Sequence, residues 1–120
     1  MAMDGKEMLA QLRAETAKRQ NEAAERYDAG IAAVHRLVGI AKSDTGQSGR
    51  VASFLLAWWN AATCGSFDLT DIWAVDAEIA DDMITVLRFV ADRREYPPAF
   101  GLREDFEQII ARWRPELLKH

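Results

Sequence analysis

Between Leu12 and Tyr27 the chain carries no large apolar residue; from Tyr27 onward apolar positions return at steps of three and four. The first stretch, Met3 to about Asp28, is made of Ala, Glu, Lys, Arg and Gln, which are strong helix formers. Glu15 with Arg19, and Glu22 with Arg26, sit four apart and support it slightly. This predicts a helix with little to bury, one that projects, frays or lies against a partner. Tyr27, Ile31, Val34, Val38 and Ala41 then form one core-facing stripe. Gly30 falls where the two halves meet and predicts a bend.

Three further helices follow. Ser43 to Gly49 is small, polar and loop-forming, with Ser48 placed to cap the next helix. That helix, Arg50 to about Thr63, has the stripe Val51, Phe54, Leu55, Trp58 and Ala62. Trp59 points about 100° away from Trp58, so both are buried only if the helix touches two neighbours. Gly65 suits a left-handed turn at its end. Asp68 to Trp73 predicts a short helical turn or tight hydrophobic corner, capped by Asp68 or Thr70. Asp76 caps a helix from Ala77 to Arg93 whose stripe is Ile79, Met83, Val86 and Val90, widened by Ala80, Leu87 and Phe89. Tyr96-Pro97-Pro98 stops it. A last helix runs from about Leu102 to Leu118, with Pro115 loosening its final turn. No segment alternates like a strand. The pattern predicts an all-α fold: a compact bundle of about four main helices plus one short helix, with residues 1–28 as a polar helical arm and 29–120 as a single helical domain.

Charge changes this picture locally. The formal net charge is −4, which argues weakly against a general nucleic-acid binder. From Val51 to Leu87 there is no Lys or Arg, but there are Asp68, Asp71, Asp76, Glu78, Asp81 and Asp82. Three of the four tryptophans, Trp58, Trp59 and Trp73, fall in the same block. Tryptophan is enriched at interface hot spots, so Trp59, Asp68, Asp71, Trp73, Asp76, Asp81 and Asp82 are the candidate protein-binding residues, and a partner with a basic surface is expected. The alternative is a nucleic-acid face formed by Arg88, Arg93, Arg94, Arg103, Arg112 and Arg114, provided that they converge. The polar N-terminal helix offers a surface for a homodimer.

Catalytic chemistry is sparsely supported. Cys64 is the lone cysteine, and His35 and His120 are the only histidines. Cys64 with His35 is the foremost Cys–His pair for nucleophilic chemistry, but a lone Cys after an apolar helix is more often packing. Asp76, Glu78, Asp81 and Asp82 supply carboxylates for a metal or for acid–base work on a sugar, yet helix capping and the helix dipole explain the same residues. The Ser43–Gly49 loop lacks the Gly-Lys-Ser/Thr ending of a phosphate loop. No catalytic residue, metal or cofactor is expected, and the protein is read as a non-enzyme. One cysteine, no signal-peptide pattern and no apolar run of about 20 residues point to a cytoplasmic protein without a membrane span.

Three segments are distinctive as a set: Ser43-Asp44-Thr45-Gly46-Gln47-Ser48-Gly49-Arg50-Val51-Ala52-Ser53-Phe54-Leu55-Leu56-Ala57-Trp58-Trp59-Asn60-Ala61, Phe67-Asp68-Leu69-Thr70-Asp71-Ile72-Trp73, and Ile109-Ile110-Ala111-Arg112-Trp113-Arg114-Pro115. With them the chain, from roughly Ile31 to Leu117, resembles a small uncharacterised family encoded on plasmids and integrative conjugative elements of proteobacteria. The resemblance implies a setting and no activity. Small acidic proteins on such elements serve replication control, conjugation or defence evasion; anti-CRISPR and anti-restriction proteins among them block nucleic-acid-binding machines through acidic surfaces.

Overall fold

A computed structural model describes residues 4–118; Met3 and His120 lie outside them. Four α-helices carry the fold: α1 (Gly5–Ala41), α2 (Ser48–Cys64), α3 (Ala77–Arg93) and α4 (Arg103–Trp113). Short 3-10 turns occupy Leu69–Ala74, Pro97–Phe100 and Pro115–Leu118. The fold is all-α, as the periodicity predicts.

The two halves of α1 are one continuous helix. Asp4 starts it, its carboxylate accepting from the Glu7 N–H at 2.8 Å. Residues 4–26 are exposed throughout. Tyr27 is half-buried, and Gly30 is the first buried position. Gly30 is therefore no bend. A Cβ built there would sit 2.5–2.7 Å from the Cβ, Cγ and Cδ2 atoms of Phe89, so glycine lets α3 approach α1. Arg26 reaches Asp92 of α3 at 3.4 Å rather than the expected Glu22.

The core lies where α2 and α3 both pack on the second half of α1, with α4 laid mainly on α2. Its fully buried side chains include Leu37, Leu55, Leu56, Met83, Phe106 and Ile109. Leu37 and Ala33 join the α1 stripe, while Ile31 is only partly covered.

Helix ends depart most from expectation. Ser48 does not cap α2. It is buried inside the helix's first turn, its hydroxyl accepting from the Thr45 N–H at 3.1 Å and lying 2.7 Å from the Thr45 hydroxyl. Ala62 is exposed rather than buried, because α2 breaks at Asn60 (φ −161°, ψ 84°). The Asn60 carboxamide then accepts from the Thr63 N–H at 3.1 Å, restarting the last turn. Leu87 faces outward, off the α3 core face. α4 ends at Trp113, and Pro115 opens a separate 3-10 turn.

The segment Arg112-Trp113-Arg114 closes the ends of the other helices. The Trp113 Nε1–H donates to the Ala41 carbonyl at 2.6 Å and the Arg112 Nε–H to the Ser43 carbonyl at 3.0 Å, at the C-terminal end of α1. The Arg114 Nε–H donates to the Cys64 carbonyl at 3.0 Å, at the end of α2, and its Nη2 reaches the Ser53 hydroxyl at 3.1 Å. Carbonyls at helix ends lack intrahelical partners, and these side chains supply them.

Candidate functional site

The candidate acidic residues divide into two groups. Asp82 takes a two-pronged contact from Arg36 of α1 at 2.8 and 2.9 Å, and Asp71 pairs with Arg50 at 3.6 Å. The block without internal cations thus draws them from flanking segments. Asp76 occupies the N-cap position of α3, but its carboxylate accepts from Gln47 Nε2 at 3.0 Å instead of capping, while its own N–H donates to Gln47 Oε1. Asp68 and Asp81 are exposed and have no ion pair among the described residues. The Thr70 hydroxyl and backbone N–H both donate to Asp68. Those bonds hold its carboxyl below the ordinary carboxylate range, so it stays charged at neutral pH.

Between Asp68 and Asp76 runs the Leu69–Ala74 turn. Ile72 packs against the core, whereas Leu69 and Trp73 are 71% and 82% exposed. The turn is fixed by Asp68–Thr70 at its start, by Asp71–Arg50 in its middle and by Gln47–Asp76 just beyond its end. Trp59 does not share this setting. It is half-buried on α2, edge-on to Phe106 at 5.9 Å.

Beside the turn lies an apolar groove of about 560 Å³ between α2 and α3. Phe54, Trp58, Val86 and Val90 form its base, and Ala57, Ala61, Phe67, Leu69 and Leu87 also line it. Ala57 and Ala61 are four apart, so two small side chains face the same space. Trp58 is fixed by its Nε1–H donating to the Glu95 carbonyl at 3.1 Å and by edge contacts with Phe89 and Phe106. The polar lining is Ser66, Arg94, Glu95 and Tyr96. Arg94 ends α3 in the left-handed conformation (φ 54°, ψ 36°), the one non-glycine residue with positive φ among those described. That conformation costs an ordinary residue roughly 1–2 kcal/mol.

The apolar pattern assigned Leu87 to the widened core face of α3; the structure leaves it exposed along this groove instead.

Five of the six candidate arginines have partners within the chain. Arg88 pairs with Asp92 and Arg103 with Glu107. The Arg93 guanidinium lies 4.3 Å from the Tyr27 ring centroid. Arg112 pairs with Asp44 at 3.0 Å, and Arg114 is committed to the end of α2. The Arg94 backbone N–H donates to the Val90 carbonyl at 3.0 Å, but its side chain has no ion pair or hydrogen bond among the described residues.

His35 is exposed on α1 and Cys64 is buried at the end of α2. No hydrogen bond joins them among the described residues. Burial pushes the Cys64 thiol up, against the opposing charge of Arg114, away from the thiolate that nucleophilic chemistry requires. Among the described residues no three His, Cys, Asp or Glu side chains cluster to hold a metal ion, and no helix is long and apolar enough to cross a membrane.

No curated protein and no solved structure matches the chain. A model of a family of unknown function, DUF7673, matches residues 31–114. That match runs from the first buried turns of α1 to Arg114, leaving out the exposed arm; the chain belongs to the DUF7673 family.

Proposed function

We propose that this domain is a docking module that holds a basic protein partner through the Leu69–Ala74 turn. The observation that carries the reading is the exposure of Trp73 on a turn clamped at both ends. A large aromatic held in water on a fixed backbone has its ordering cost met before binding, which favours a hot-spot role. Asp68 beside it is ionised and has no cationic partner among the described residues, and Asp81 is a second such charge on α3. Asp71 and Asp82 act internally in this reading, holding the turn and α3 through Arg50 and Arg36.

The module acts by occupancy, with no chemistry of its own, and works in the cytoplasm. Carriage on a mobile element, which the resemblance implies, favours a host defence complex with a basic nucleic-acid surface as the partner to be blocked.

A photo-cross-linking residue at position 73 should capture such a partner, whose affinity for variants is then measured by calorimetry. Trp73→Ala is expected to weaken binding thirtyfold or more, equivalent to the ~2 kcal/mol of a hot spot, with the melting temperature unchanged. Asp68→Lys with Asp81→Lys should weaken it further and flatten its salt dependence. Wild-type affinity in both variants would reject the reading.

A further inference from the structure

We infer that the groove between α2 and α3 is a binding site for a small amphipathic monocarboxylate: an apolar body seated over Trp58 and one carboxylate held by Arg94. Its volume, about 560 Å³, falls in the range of small-molecule sites, which are mostly apolar with a few polar groups that fix orientation. The lining has that division. Aromatic and aliphatic side chains make the base and walls, and the polar members are confined to Ser66, Arg94, Glu95 and Tyr96.

Two independent observations single out Arg94. It is the one cation lining the groove, with no internal partner among the described residues, whereas the other candidate arginines are engaged within the chain. It is also held left-handed at the end of α3, where glycine is the unstrained residue. A planar guanidinium beside apolar walls matches a carboxylate through two parallel hydrogen bonds. Trp58 is already fixed by its bond to the Glu95 carbonyl, so the aromatic floor is in place before a ligand arrives. Glu95 belongs to the same lining, and its negative charge opposes an anion. This gives the site a second electrostatic signature of opposite sign.

Decanoate, octanoate and decanol are the probes, titrated into the full chain with tryptophan fluorescence and calorimetry as readouts. Decanoate should bind saturably and about tenfold or more tighter than octanoate, since each buried methylene contributes roughly fourfold. Arg94→Gln should weaken decanoate at least tenfold while leaving decanol unchanged, and Glu95→Gln should tighten decanoate. Ala61→Trp should block both ligands; if that variant misfolds, the Arg94 and Glu95 variants still decide the outcome. Equal affinity for decanoate and decanol, or indifference to Arg94→Gln, would overturn the proposal. So would an absence of decanoate binding, including the case in which a captured protein partner protects Leu87 and Tyr96 and the groove proves to be part of its docking face. Trp73→Ala should leave decanoate binding intact, so failure of the docking reading and failure of this one are separable.

Discussion

Phe106→Ala is expected to lower the stability of the fold by about 3–5 kcal/mol, the usual cost of truncating a fully buried aromatic. Phe106 is wholly buried on α4, and its ring meets Trp58 and Trp59 edge-on, both at 5.9 Å and near-perpendicular. One side chain thus keys two adjacent residues of α2 that point about 100° apart. Truncation leaves a cavity and removes two aromatic contacts together. Small domains have about 5–15 kcal/mol in hand, so a loss of this size takes at least about a fifth of the total. Urea denaturation followed by far-UV circular dichroism measures it. Trp58 and Trp59 should shift their emission in the native baseline of the variant, because their common support is gone. Phe106→Leu, which restores most of the bulk without the ring edge, should recover more than half of the loss.

Two glycines of α1 are expected to respond to alanine with opposite signs. In an open helix position, Gly to Ala gains up to about 1 kcal/mol, and Gly39 is open, with nothing within 4 Å of an added Cβ. Gly30 is closed by Phe89. That ring cannot step aside cheaply, because Tyr27, Trp58 and Phe100 surround it with centroids 4.9–6.2 Å away. Overpacking of this kind costs about 1–3 kcal/mol, which outweighs the helical gain. Gly39→Ala should raise the denaturation midpoint and Gly30→Ala should lower it. Adding Phe89→Ala to Gly30→Ala should cost less than the two single changes summed. A stabilised Gly30→Ala would mean that α1 and α3 are less tightly apposed than described.

What was legible in the sequence was the periodic part. The helices, their order and most of the core face follow from the spacing of apolar residues, because burial repeats every turn. Features set by a single contact from a distant segment were not. Gly30 reads the same whether it bends a helix or admits a neighbour, and only Phe89, far along the chain, decides. Asn60 breaks α2 through a local side-chain bond that leaves the apolar pattern around it intact. Arg112 and Arg114 read as surface cations, yet they serve carbonyls of residues more than 45 positions earlier. The acidic block was visible as composition; its partial neutralisation by Arg36 and Arg50 required the fold. The spacing placed Trp58 on the buried stripe of α2 and set Trp59 about 100° from it, but it did not separate Trp59 from Trp73 as exposed candidates. The separation of the three into floor, wedge and exposed anchor depends on neighbours that periodicity does not name.

The exposed half of α1 has a consequence for how this protein behaves as a particle. A compact chain of 120 residues should have a radius of gyration of about 14 Å, whereas this one has 19.0 Å, with a long axis of 69 Å against 32 and 21 Å. A radius of this size is that expected of a compact chain of roughly 290 residues. On a sizing column a single chain should therefore elute at the position of a protein about twice its mass and look like a dimer. Light scattering, which weighs the particle without reference to its shape, is expected to separate an elongated monomer from a true pair of chains joined along their arms.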